Sequence, residues 1–372
     1  MVKEKMKQSN KIIFWGFIAI LIFFETVYVV RSDFSTANAK GLEFISNVLP
    51  IDLSQYNLTL KSYGEVKLSP DIGVNPLKGF KKEVLTYTLE SNKGTLEVIC
   101  TVTNGAVSSC FLEVRSGSII LDRHYSDPID AAEGFLKKYQ SYYKTNLADM
   151  IELLHKVNSL KNVTLVSGSL KLTIETKRSS IPPFGDKVRF RWTRVYNGCE
   201  YLVLDIGFLN GVLHGMVDHR VVYVIGDTSV NISKEQAIEI AMEYVKNYSY
   251  LMPDMTRISN FNVSKDRAVA ELFPAVKYAN VLYPYWSVTL YLNETYPGGV
   301  YALLVGVWAD NGEVFFCNNQ AAGGLYPPPD DNTRSGSATT EHSISPYMTA
   351  LAVLAAITFI VMVVIYTKKR GK

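Results

Sequence analysis

The residues best equipped for chemistry are gathered in one short stretch. His214, Asp218, His219 and Arg220 fall within seven residues, and Asp205 lies on the strand-like run before them. Imidazole and carboxylate groups together can ligate a divalent cation, and with an arginine they can hold an anion. If Asn210-Gly211 is a two-residue turn, Leu202, Leu204, Ile206 and Phe208 pair with Leu213, Gly215, Val217 and Val221 under a covering helix. Asp205, His214, Asp218 and Arg220 then share the face away from that helix. The same side chains also read as a solvated sheet face with an ion pair. A second cluster, Tyr283, Tyr285 and Trp286, is either a recognition patch, since aromatics carry much of the energy at interfaces, or a set of core and cross-strand pairs. The chain has no HExxH, no Gly-x-Ser-x-Gly, no phosphate-binding glycine loop and no paired CxxC. The expectation is a protein that is not an enzyme and uses no cofactor, with a metal-dependent hydrolase at the His214 cluster as the remote alternative.

Four cysteines allow three disulfide connectivities. Leu96, Val98, Cys100 and Val102 form one apolar strand face; Cys110, Leu112 and Val114 form the next. A two-residue loop at Asn104-Gly105 sets the first group over Ser109, Phe111 and Glu113. A three-residue loop bulged at Gly105 matches apolar to apolar and puts Cys100 opposite Cys110. This register predicts a cross-strand disulfide there, or else two small buried residues. Cys317 follows Asn311 at the offset that separates Cys110 from Asn104, which leaves Cys199 as its partner. Six Asn-x-Ser/Thr sequons, at Asn57, Asn162, Asn231, Asn247, Asn262 and Asn293, suit a glycosylated exterior.

The elements that must position these residues follow from hydrophobic spacing. Ile232 to Tyr250 reads as an amphipathic helix with Ala237, Ile240, Ala241, Tyr244, Val245 and Tyr248 on one stripe, opened by Ser233 and Gln236 as a capping box. Ala241-x-x-Tyr244-Val245-x-x-Tyr248 is echoed by Ala132-x-x-Phe135-Leu136-x-x-Tyr139 and more faintly by Gly41-x-x-Phe44-Ile45-x-x-Val48. Each copy precedes alternating strands with an Asn-Gly pair, at 104–105, 210–211 and 311–312. The pattern predicts an α+β protein of three repeated units, each a helix plus an antiparallel meander, over residues 33–120, 121–228 and 229–320.

The ends carry a different signal. Residues 12–30 are almost wholly apolar behind Lys3, Lys5, Lys7 and Lys11, so 1–31 reads as a signal peptide or a signal anchor. Residues 321–346 are rich in Gly, Pro, Ser and Thr, as in a stalk. Residues 347–366 hold no charge and are long enough to span a bilayer, and the basic tail 367–372 assigns the C-terminus to the cytoplasm. The expected location is the cell membrane, single-pass or two-pass, with the main domain outside. The chain's formal charge is +3; nine Lys/Arg and two Glu in 1–31 and 347–372 give those ends +7 and leave the domain at −4. A mildly acidic domain excludes a nucleic-acid partner.

Ser233-Lys-Glu-Gln-Ala237-Ile-Glu-Ile-Ala241 together with Trp308-Ala-Asp310-Asn311-Gly312-Glu313-Val314 resembles the PepSY family of exported modules. Residues 121–228 match it in the helix and less well in the turn, and the first unit matches mainly in Asn104-Gly105-Ala106-Val107. The stalk, anchor and sequons are similar to those of archaeal surface proteins. The family resemblance implies a binding or regulatory protein whose partner is an envelope peptidase or another surface protein. The alternative is a structural glycosylated surface protein without a dedicated partner.

Overall fold

The computed structural model describes residues 36–66, 81–178 and 185–321. The apolar runs at 12–30 and 347–366, the stalk beyond residue 321 and the basic tail lie outside the described residues. Among those described, no helix is long and apolar enough to cross a membrane.

The first half of the chain builds one nine-stranded antiparallel sheet. Helix α1 (36–47) leads into β1 (Asn57–Glu65), β2 (Lys82–Ser91), β3 (Gly94–Thr103) and β4 (Ala106–Gly117). Helices α2 (Pro128–Tyr143) and α3 (Ala148–His155) precede β5 (Val163–Ser167), β6 (Leu170–Lys177), β7 (Lys187–Tyr196), β8 (Cys199–Leu209) and β9 (Val212–Asp218). The spatial order is β1-β2-β3-β4-β9-β8-β7-β6-β5. Two meanders thus meet through their last strands, with Ser109, Cys110 and Phe111 of β4 paired to Val217, Met216 and Gly215 of β9. Asp127 caps α2 by accepting from the Ile129 and Asp130 amides, with Pro128 in the first turn where its missing N–H is harmless. Ala132, Phe135, Leu136 and Tyr139 of α2 are buried in the same core as Phe44 and Ile45 of α1 and Leu153 and Leu154 of α3. Trp192 and Phe190 stack within that core, each such burial contributing about 1.5–3 kcal/mol.

Three of the Asn-Gly pairs form two-residue hairpin turns with both residues at positive φ: 104–105, 197–198 and 210–211. That backbone follows the right-handed twist of the strands, and asparagine and glycine reach it at least cost.

A second sheet follows. It contains the short β10 (Val224–Ile225), parallel to β14, and the antiparallel β13 (Val269–Tyr278), β14 (Val281–Tyr296), β15 (Val300–Trp308) and β16 (Val314–Ala321). Helix α4 (Lys234–Val245) starts at the expected capping box and lays Ala237, Ala241 and Val245 on Val288, Leu290, Leu303, Val305 and Val307. A small hairpin of β11 (Tyr250–Leu251) and β12 (Arg257–Ile258) follows the helix. The sheets meet where Leu272 of β13 lies against Gly198 and the Asn197 amide donates to the Thr228 carbonyl at 2.9 Å.

This corrects the expectation of three helix-plus-meander repeats in an α+β protein. The protein is mostly antiparallel β, with four α-helices among the described residues. The first two expected units share one sheet and one core, and the last sheet includes a parallel strand. The reason is edge pairing: β4 and β9 satisfy each other's backbone and merge the apolar faces of two meanders, which periodicity along one strand does not reveal.

Candidate binding surfaces

Asp205 organises the outer face of the nine-stranded sheet. It is only 7% exposed, and its carboxylate accepts from Arg189 at 2.9 and 3.0 Å and from Arg191 at 3.3 Å, with His219 Nε2 at 3.6 Å. Burial pushes this carboxyl up, but the nearby His219 imidazole and the two guanidiniums outweigh it and hold it below the usual carboxylate range. Beside it is a hollow of about 320 Å³ whose lining includes Phe111, Lys187, Arg189, Gly207, His214 and Gly215. His214 Nδ1 lies 3.0 Å from the Leu112 carbonyl. A carbonyl only accepts, so Nδ1 carries the proton and Nε2 is left for another partner.

Asp218 is on the opposite face. A bulge after the Phe208–Leu213 pair makes His214 the extra residue, so Gly215 and Val217 turn outward while Met216 and Asp218 turn into the core. There Asp218 accepts from the Tyr139 hydroxyl of α2 at 2.5 Å and from Arg220 at 3.0 and 2.8 Å. Burial and the neighbouring carboxylate push the Tyr139 hydroxyl far above its ordinary value, so it stays a neutral donor. The network pins α2 to β9. The structure therefore brings Asp205 and His219 together, sets His214 in the lining of the same hollow, and keeps Asp218 and Arg220 out of it. Among the described residues, no group of three or more His, Cys, Asp or Glu side chains converges to hold a metal.

The aromatic patch divides in the same way. Trp286 faces α4 and donates through Nε1 to the Ile232 carbonyl at 2.8 Å. Tyr285 faces away and packs edge-on against Trp308 and Phe315, which stack with centroids 4.1 Å apart. Tyr283 contacts Tyr278 and the Lys277 ammonium. Sequence reasoning missed the surface on the α4 side of this sheet. A groove of about 680 Å³ is lined by Ile240, Glu243, Tyr244, Asn247, Tyr248, Ser249 and Val314. It reaches β16 at Val314, the first residue of the strand that ends the sheet and is paired only with β15 among the described residues. Tyr244 and Tyr248 sat on the apolar helix stripe, and that stripe is wider than the sheet it covers.

Cys100 does lie opposite Cys110, as free thiols with sulfurs 3.3 Å apart. The bulge that sets this register is at Ser108, whose hydroxyl lies 2.7 Å from that of Thr103, and not at Gly105. Cys317 pairs with Val305 on the α4 side, whereas Cys199 is buried beside Tyr201 and near Tyr285 on the other, so the two are not brought together. All six sequon asparagines are exposed, and Asn247 lines the groove itself.

No protein-family model and no curated protein matches this chain. Among solved structures it is similar to the Bacillus megaterium YpeB C-terminal domain, at a TM-score of 0.27 and 11% identity over 77% of this chain and 97% of that one. The likeness is weak, and the PepSY resemblance is a remote link on which no assignment rests.

Proposed function

We propose that this chain is a membrane-anchored extracytoplasmic binding protein that takes an extended peptide of its partner along the edge of β16 that is unpaired among the described residues. The observation that carries this reading is the groove between α4 and the start of β16, with Ile240, Tyr244, Tyr248 and Val314 as its apolar wall. An unpaired strand offers a row of backbone donors and acceptors, and an adjoining apolar groove receives alternate side chains of the added strand. The partner class that the PepSY resemblance implies is an envelope peptidase, restrained or positioned by this contact.

The test places photo-crosslinking side chains at Tyr244 and at Asn318 in the full chain in native membranes. One partner captured from both positions supports the reading, and Tyr244→Ser should weaken that capture by about tenfold or more. Self-crosslinks and bulk surface protein at both positions would sink it. The second reading, a structural glycoprotein, is favoured by the six exposed sequons. A glycan found at Asn247 by glycopeptide mass spectrometry would fill the groove and favour that reading.

A further inference from the structure

The hollow beside Asp205 raises a separate question, which two glycines frame. Gly207 of β8 is paired with Gly215 of β9, and Gly215 with Phe111 of β4. Gly215 is explained by its own neighbours: a Cβ there would lie 2.5 Å from the Phe111 ring, so the glycine seats that ring flat on the sheet. Gly207 has no such reason. A Cβ there would meet only the Gly215 carbonyl oxygen, at 3.9 Å, and its φ is not in the left-handed region. Glycine inside a strand is less stable than alanine by about 0.5–1 kcal/mol, and in strands it often marks the close approach of a ligand.

We propose that this hollow binds a small carboxylate carrying a single ring with an apolar face. The bare backbone of Gly207 is the floor and Phe111, 41% exposed, is the wall on which a ring packs. Lys187, at the rim, has no ion pair among the described residues and receives the carboxylate together with the outer edge of Arg189. The Nε2 of His214 adds a polar contact. Asp205 is occupied by its guanidiniums and His219, and its nearness disfavours a doubly charged phosphate. A volume of about 320 Å³ holds a single ring and a short acid, at the small end of ligand sites. Aromatic acids and sugar acids both have this chemistry. The site is on the other sheet from the β16 groove, so it does not depend on the peptide reading.

The experiment is saturation-transfer NMR with the full chain in nanodiscs, titrated with 3-phenylpropionate in one arm and glucuronate in the other. The expected result is saturable binding of one acid, the arm identifying its source. Gly207→Leu, whose side chain fills the hollow, should abolish it without lowering the melting temperature, and Lys187→Gln should weaken it about fivefold. No saturable binding in either arm, or binding that survives Gly207→Leu, would overturn the assignment. If Gly207→Leu fails to fold, Gly207→Ala and Lys187→Gln decide alone: unchanged affinity in both overturns it as well.

Discussion

The two sheets treat their edges differently. In the nine-stranded sheet, β1 is bulged between Leu60 and Ser62 and carries Lys61 at the break, and β5 is only five residues long. In the second sheet, β13 has Pro274 at its middle. These are common ways of keeping an edge from pairing with another chain. Strand β16 has no proline; it carries a bulge of its own at Phe315 but runs Phe316 to Gln320 in continuous register. Among the described residues the most open edge, Phe316 to Gln320, thus begins beside the apolar groove, in the sheet covered by a single helix. Three helices pack on the larger sheet, where the buried polar network also lies. The contrast separates a stabilising region from a recognising one, and the following outcomes test it.

The largest effect is expected at Asp218. Asp218→Ala removes the acceptor for Tyr139 and leaves the Arg220 guanidinium without its partner, a loss of about 3–5 kcal/mol. Asp205→Ala, one strand away on the outer face, leaves Arg189 and Arg191 able to turn to water and should cost about 1 kcal/mol or less. Urea unfolding of both variants measures the difference. Equal losses would mean that the outer network is as structural as the inner one.

Leu290→Ala in the second core should lose about 2–5 kcal/mol. Hydrogen exchange is expected to speed up in α4 and β14 to β16 and to stay unchanged in β2 and β3. Equal loss of protection in both sheets would show one cooperative body and remove the distinction.

Oxidation of the Cys100–Cys110 pair would close a short loop and stabilise the larger sheet by about 2–3 kcal/mol. The check is alkylation in denaturant, with and without reductant, of the peptide from Gly94 to Arg115. Full labelling without reductant would show a buried thiol pair instead. Burial raises the Cys110 thiol well above its ordinary range, so little labelling is expected in the native state.

How far these features were legible follows from the range of the interaction that sets each one. Helix α4 was readable because its cap, Ser233 with Gln236, and its stripe lie within a few residues. The turn at Asn104-Gly105 was readable from its residue types, and the Cys100–Cys110 register from matching apolar faces. The bulge at Ser108 was not, since it rests on hydroxyl contacts across the strands. At β9 the same kind of miss had larger consequences. One extra residue at His214 moved Asp218 from the outer face to the core and dissolved the expected four-residue site. The β4–β9 seam has only three residue pairs and depends on two segments about a hundred positions apart, so nothing local announces it. The groove at Tyr244 was present in the sequence as an apolar stripe with more residues than one sheet face can cover.

The smallest effect is the pH dependence of the outer network. Asp205 titrates in the folded protein below its ordinary value of 3.8, so folding favours its ionised form. Its contribution is therefore fully present above about pH 4 and is lost as pH falls through the lowered folded value. Because Arg189 is nearly half exposed and water screens the pair, the contribution is under about 1 kcal/mol. Melting temperature followed from pH 5 to pH 2 should fall in the parent chain by slightly more than in Asp205→Asn, which has no carboxylate to protonate there. Identical acid limbs would mean that the guanidiniums around Asp205 add nothing to folding. The cluster would then be a surface arrangement that the outer face keeps for some other purpose, and the rim of the Gly207 hollow is the nearest one at hand.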